Sequence, residues 1–249
     1  MSHHLISAEH LAYTYPDGTR ALDGITFTIK HGEAVGVVGA NGAGKSTLLL
    51  LLAGVLLPGG GSLRVGDIPL CRRTLPQIRR SVGLIFQDPD DQLFMPTVHD
   101  DVAFGPVNLG LPPDEVEARA AGALAKVGAV HLRDRPPHRL SGGEKRAAAI
   151  AAVLAMDPNI LVLDEPSAGL DPWARRRLIE ILKSFEHTRI VATHDLDLVL
   201  DLCPRTIVLD GGRIAADGPT ALIFDDEALL AAAHLEKPLS MQGCPRCGG

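Results

Sequence analysis

Apolar positions along the chain recur with two periods, and the switches between them lay out its elements. Leu11-Ala12-Tyr13-Thr14-Tyr15 alternates strictly, and after the Pro16-Asp17-Gly18 turn Ile25-Thr26-Phe27-Thr28-Ile29 alternates again. That pattern predicts two antiparallel strands. Ala34 to Val38 is a continuous apolar run, expected as a buried strand, and Ser46 to Leu57 reads as an apolar helix ended by Pro58-Gly59-Gly60-Gly61. Strands are expected again at Ser62–Val65 and Val82–Phe86. From Asp88 to Arg139 the pattern predicts Pro-broken loops and one helix, Asp114 to Val127, opened by Pro112 and Pro113. A helix of small residues should then run from Ser141 to Met156.

Beyond that helix the β-then-α alternation returns. Ile160 to Leu163 and Arg189 to Thr193 predict buried strands, separated by a helix from Asp171 to Glu186 and followed by one beginning near Asp195. Thr206–Asp210 and Arg213–Asp217 flank Gly211-Gly212 as a hairpin. A terminal helix is expected at Ala228–His234, and the tail after Pro238 is expected to be unstructured. The whole predicts an α/β fold: an N-terminal antiparallel β part, a parallel-sheet core, and a helical insertion at about 88–157. One domain, 1–235, would be followed by a tail, 236–249.

With 249 residues, 46 % of them hydrophobic, the chain can bury a sizeable core. The net charge of −6 and the lack of a Lys/Arg block argue against nucleic acid as a partner. Leu48–Leu57 is the longest apolar run and falls short of the ~20 residues that cross a bilayer. Met1 to Leu5 lacks the parts of a signal peptide, so a cytosolic protein is expected, attached to a membrane only through a partner. Cys71, Cys203 and the Cys244/Cys247 pair make no disulfide framework and fit a reducing compartment. The pair supplies two of the four ligands zinc takes, so two tails would be needed for a site; otherwise it belongs to a flexible tail.

The chemistry centres on Gly39-Ala40-Asn41-Gly42-Ala43-Gly44-Lys45-Ser46-Thr47, which fits G-x-x-x-x-G-K-[ST] between a predicted strand and a predicted helix. Its glycines let backbone N–H groups turn inward while the helix aims its positive end at the same point, so polyphosphate is the expected guest. Lys45 would reach the β- and γ-phosphates, Ser46 would ligate Mg²⁺, and Thr47 would help hold the α-phosphate.

Other candidates lie at element ends. Gln87 follows a strand, where a polar side chain could touch Mg²⁺ or a water, or could simply be a loop residue. Asp164 and Glu165 end another strand; one acid could hold Mg²⁺ and the other could orient or deprotonate a water. Ser141 and Glu144 have capping-box spacing, but Gly142 and Gly143 would also admit a second phosphate group. Asp171 is explained as an N-cap before Pro172, His194 ends a strand, and Tyr15 could stack on adenine or pack across its hairpin.

Taken in order, the phosphate loop, Gln87, Leu140–Glu144, Ile160–Pro166, Ser167–Asp171 and His194 resemble the ATP-binding subunit of ABC transporters over roughly residues 5 to 225. The resemblance implies an ATP hydrolase with ATP and Mg²⁺ as cofactors. It implies Tyr15 as the adenine-stacking aromatic and Gly39, Asn41, Gly42, Ala43, Gly44, Lys45, Ser46 and Thr47 as the phosphate cradle. Gln87 would contact metal and water, and Asp164 would assist Mg²⁺. Glu165 is implied as general base or water orienter and His194 as γ-phosphate contact. Ser141, Gly142 and Gly143 would then close on ATP held by a second copy and Asp171 would communicate across the dimer, giving a head-to-tail pair around two ATPs. The segment Phe86–Leu111 and the start Leu140–Arg146 look like the energy-coupling-factor branch, especially cobalt and nickel importers. That implies a motor peripheral to the cytoplasmic face of the cell membrane, with membrane subunits docking near Gln92–Met95. Glu144 stands where many relatives have Gln. An importer for another small substrate such as a vitamin, a soluble ABC-type ATPase acting on DNA or ribosomes, and a non-catalytic nucleotide-binding regulator are the rival readings.

Overall fold

The structure is a computed structural model and describes residues 6–242. In chain order the strands are β1 (Ile6–Thr14), β2 (Arg20–Ile29), β3 (Ala34–Val38), β4 (Gly60–Val65), β5 (Ile68–Pro69), β6 (Val82–Ile85), β7 (Ile160–Asp164), β8 (Thr188–Ala192), β9 (Arg205–Asp210) and β10 (Arg213–Pro219). The helices are α1 (Lys45–Leu52), α2 (Leu75–Ser81), α3 (Val98–Asn108), α4 (Pro113–Lys126), α5 (Gly142–Leu154), α6 (Pro172–Lys183), α7 (Leu196–Leu202), α8 (Thr220–Asp225) and α9 (Glu227–Ala232).

Two sheets form. The smaller is antiparallel with strand order β2-β1-β4-β5; the larger has order β10-β9-β3-β8-β7-β6, parallel throughout except for β10. This is the mixed α/β architecture that the alternation predicts. Because strand side chains alternate faces, the parallel sheet sorts its residues between two cores. Val35, Val37, Ile160, Val162, Ile190, Ile207 and Leu209 join the leucines of α1 and the antiparallel sheet. Val38, Leu161, Leu163, Val191 and Val208 join the helices of the opposite face. Helix α1 is thus enclosed between sheets, and Leu48, Leu49, Leu51 and Leu52 are all buried. That fixes its first turn, which carries Lys45, Ser46 and Thr47.

Several boundaries depart from the sequence expectation. Helix α1 ends at Leu52 rather than Leu57, because the chain turns at Ala53 and enters the left-handed region at Gly54, φ 65°. Helix α9 is the terminal helix expected at Ala228–His234, ending at Ala232, whereas α2 and α8 were not expected. The stretch 88–139 holds two helices, not one. Helix α3 begins at a cap in which the Thr97 hydroxyl accepts the Asp100 amide at 3.2 Å and donates to Asp100 Oδ2 at 2.6 Å. Val98, Val102 and Pro106 bury one face of it. The tail is ordered further than expected: Leu239–Met241 form a short 3-10 turn, with the Leu239 and Ser240 amides donating to Asp197 at 3.2 and 3.1 Å. Cys244 and Cys247 lie outside the described residues.

Candidate functional site

Strands β3, β6, β7 and β8 all run the same way, so the loops that follow them gather at one edge of the sheet. There a cleft of about 400 Å³ is lined by Tyr15, Asn41, Lys45, Ser46, Gln87, Glu165 and His194, with Gly42, Gly44 and Thr47 in its floor. Gly44 shows why the loop is glycine-rich. Its φ is 103°, and a Cβ there would come within 2.5 Å of Ala21 O and 2.8 Å of Leu22 Cδ2. Gly39 likewise lies so close to Leu209 O that no side chain fits, and Ala43 is buried behind the loop.

Lys45 is 7 % exposed and donates to Gly39 O at 2.7 Å and Ala40 O at 3.1 Å. Burial lowers its pKa, while the nearby carboxylates of Glu165 and Asp164 counteract that. Thr47 does not present a free hydroxyl: it shares a 3.0 Å hydrogen bond with Tyr15 OH. Tyr15 lies just past the end of β1, edge-on to Tyr13 at 5.0 Å between centroids, and so stands outside the strand pairing at the cleft wall.

Asp164 and Glu165 end β7 in different environments. Burial raises the Asp164 pKa, a hydrogen bond with Ser46 opposes the rise, and Oδ1 is buried with no hydrogen-bond partner among the described residues. An unsatisfied buried carboxylate oxygen beside a serine hydroxyl is the donor set that Mg²⁺ takes, so these residues fit that ion. Glu165, 7 % exposed, adopts φ 43°, a left-handed conformation that costs a non-glycine residue ~1–2 kcal/mol. Its amide donates to Ala192 O at 2.8 Å. Its carboxylate accepts from Thr193 Oγ1 at 2.7 Å and from the His194 amide at 3.1 and 3.2 Å, and His194 Nδ1 lies 2.9 Å from Oε1. With Nδ1 engaged there, Nε2 of this exposed imidazole is the nitrogen that remains for a phosphate oxygen.

Ser141, Gly142, Gly143 and Asp171 are not brought to this cleft. They line a separate cavity of about 530 Å³ between α5 and α6. Ser141 caps α5 in a reciprocal box with Glu144, its amide and hydroxyl both donating to Glu144 Oε2 at 2.8 Å. The Asp171 carboxylate caps α6 by accepting from the Trp173 and Ala174 amides at 2.9 Å. Gly142 is exposed; Gly143 is half-buried, 3.3 Å from Ala174 Cβ by its would-be Cβ, which corrects the expectation of two open glycines.

Three residues escaped the sequence reading. Arg146, on α5 and 3 % exposed, donates to Phe86 O at 2.6 Å and Gln87 O at 2.5 Å, tying the Gln87 loop to the helix that Ser141 caps. Lys145 to Asp90, at 2.6 Å, and Gln92 Nε2 to Ala149 O, at 2.7 Å, lace the same segment to the same helix. The signal was a cation at a position of α5 that the helical period places inward. Arg20, which is ion-paired with Asp23, also lines the cleft.

In the proposed docking segment Gln92 and Leu93 turn inward, which narrows the expected Gln92–Met95 cluster to its second half. Phe94 is 63 % exposed and stacks edge-on with the exposed Phe104 at 5.0 Å.

Comparison with known proteins adds the following. The family model described as ABC transporter matches residues 22–168. A protein of Geobacter sulfurreducens named as an ABC transporter ATP-binding protein is 65 % identical over the whole of both chains. The energy-coupling factor transporter ATP-binding protein EcfA of Methanothermobacter thermautotrophicus is 47 % identical over 94 % of this chain and 77 % of its own. Among solved structures, cbiO1 of Clostridium perfringens, described as part of the ABC transporter complex cbiONQ, superposes with a TM-score of 0.81 at 41 % identity, covering 92 % of this chain and 94 % of that one.

Proposed function

The chain belongs to the ABC transporter family as its ATP-binding, ATP-hydrolysing component, and on that premise we propose that it is the motor of an energy-coupling-factor importer for cobalt or nickel ions. The branch is supported by the likeness to proteins named EcfA and cbiO1. The ion rests on the character of Phe86–Leu111. No helix among the described residues is long and apolar enough to cross a membrane; in this reading membrane subunits carry the ion and the chain sits peripherally on the cytoplasmic face.

One observation carries the mechanism: Glu165 lies in the cleft with Lys45, while Ser141–Gly143 lie in another cavity. A chain built this way completes its site with a second copy, whose Ser141, Gly142 and Gly143 close on the ATP held by the first. Tyr15 stacks on adenine; the amides of Gly39 to Thr47 cradle the phosphates, with Lys45 on the β- and γ-oxygens. Mg²⁺, when bound, neutralises phosphate charge, and Ser46, Asp164 and Gln87 are the residues that would hold it. Glu165 orients the attacking water and accepts its proton; His194 steadies Glu165 through Nδ1 and turns Nε2 to the γ-phosphate. Asp171 contacts the opposite copy while capping its own helix.

Glu165→Gln is the test. It should keep MgATP binding, trap a closed dimer by size-exclusion chromatography, and cut turnover by at least ~10²-fold, the scale of a lost general base. Turnover close to wild type would sink the assignment. Purified with its membrane subunits into vesicles, the wild-type complex should take up Co²⁺ or Ni²⁺ only with ATP; uptake of neither ion overturns the substrate reading.

A further inference from the structure

We infer that Thr193 is a positioning residue for hydrolysis: its hydroxyl anchors Glu165 Oε2 and so fixes the rotation of the carboxylate, which turns Oε1, on the His194 side, toward the attacking water. The inference rests on the reading of Glu165 as the group that handles that water.

The hydrogen-bond directions decide the matter. Thr193 is fully buried just past the end of β8, where no water can substitute for a protein partner. Its hydroxyl oxygen lies 3.0 Å from the Asp195 amide nitrogen and 2.7 Å from Glu165 Oε2. A backbone N–H can only donate, so the hydroxyl accepts from Asp195 and its single proton is directed to Glu165. Oε2 is therefore held as an acceptor; the last torsion of a glutamate is broad, and the His194 amide, shared between both oxygens at 3.1 and 3.2 Å, sets it less sharply than the 2.7 Å bond from Thr193.

The ends of Thr193 are themselves fixed. Its amide donates to Val37 O at 3.1 Å, tying it to β3, which leads into the phosphate loop. Asp195, whose amide sets the hydroxyl, is gripped by Arg175 Nε at 3.0 Å, by Ser167 Oγ at 3.0 Å and by the Leu198 amide at 2.8 Å. Ser167 stands two residues after Glu165, so its bond to Asp195 adds a further cross-link between the loop that carries the carboxylate and the turn that orients it. Such a held geometry matters because a displacement of about 1 Å at a reacting group costs on the order of 10²-fold in rate.

The experiment compares Thr193→Val, which keeps shape and removes the hydroxyl, with Thr193→Ser, which keeps the hydroxyl, by steady-state ATP hydrolysis. The valine variant should lose about tenfold or more in kcat with KM for MgATP within twofold of wild type, and the serine variant should recover most of the loss. Thermal melting checks folding, and Thr193→Ala carries the same test if the valine variant does not fold. A role in packing alone predicts no selective recovery by serine, which is the smaller residue. Unchanged or raised kcat in the valine variant, a loss confined to KM, or no recovery in serine overturns the assignment. Wild type and Glu165→Gln are assayed alongside: equal turnover in those two would overturn the reading of Glu165 instead.

Discussion

Asp164, at the end of β7, and Asp101, on α3, share a local description and differ in what surrounds them. Burial pushes both carboxyls up, and each keeps one buried oxygen without a partner among the described residues. Around Asp164 stand Lys45, Ser46 and Glu165, the groups proposed to handle a phosphate and its ion. Among the described residues, the Asp101 carboxylate accepts from the amides of Phe94 and Met95, at 2.9 and 3.0 Å, and Asp100 adds like charge. A buried carboxylate with an unpartnered oxygen is therefore no sign of catalysis by itself; its neighbours decide. The sheet end is built for a charged guest. The α3 region is built to hold a loop so that Phe94 faces outward.

Removing the charge at the sheet end breaks that contrast most severely. Lys45→Ala deletes the buried ammonium proposed to reach the β- and γ-phosphates, so ATP affinity should fall by roughly 10²-fold, as for two charge-assisted hydrogen bonds of about 1.5 kcal/mol each. Calorimetric titration reads this directly, and unchanged affinity would contradict the cradle. At the other region Phe94→Ala should spare nucleotide affinity and weaken assembly with the membrane subunits. The expected loss is about 2 kcal/mol, or roughly 30-fold in Kd, for an aromatic anchor. A folded Phe94→Ala protein that assembles and transports as wild type defeats the docking reading.

The same contrast explains how far the sequence could be read. The phosphate loop, Asp164, Glu165 and His194 were legible because each sits at the end of an apolar run, and strand ends collect at one sheet edge. Helix α3 was not legible, since His99, Asp100 and Asp101 interrupt its apolar face and Gly105-Pro106 read as a stop. The Thr97/Asp100 spacing was the usable signal. That Leu93 is buried while Phe94 is exposed was also invisible, because the irregular loop there has no period from which to assign faces. Arg146 and Thr193 act on groups 59 and 28 residues away along the chain, contacts that only the fold brings about. Ser141 and Asp171 were read both as caps and as contacts, and the capping half of that reading is met within this one chain.

The smallest expected effect concerns Asp101, and its sign is what tests the contrast. Burial is the main cause of its raised pKa, the Phe94 and Met95 amides oppose the rise, and the Asp100 charge adds to it. A carboxyl with a folded value above its unfolded value of about 3.8 stabilises the native state fully only below that pH, and the contribution is lost as pH rises through the folded value. Asp101→Asn keeps an amide oxygen for the Phe94 and Met95 N–H groups and cannot ionise. Relative to wild type, the variant should therefore gain stability as pH rises from about 4 through the raised value, and the difference should be constant above it. Urea unfolding midpoints at stepped pH values give the measurement, with unchanged slopes confirming that both proteins expose the same surface. ATP affinity should not change, because Asp101 lies outside the cleft. A gain that runs the other way, with the wild type favoured as pH rises, would mean that Asp101 meets a cation or a partner that stabilises its charge, and the distinction between the two aspartates would fail.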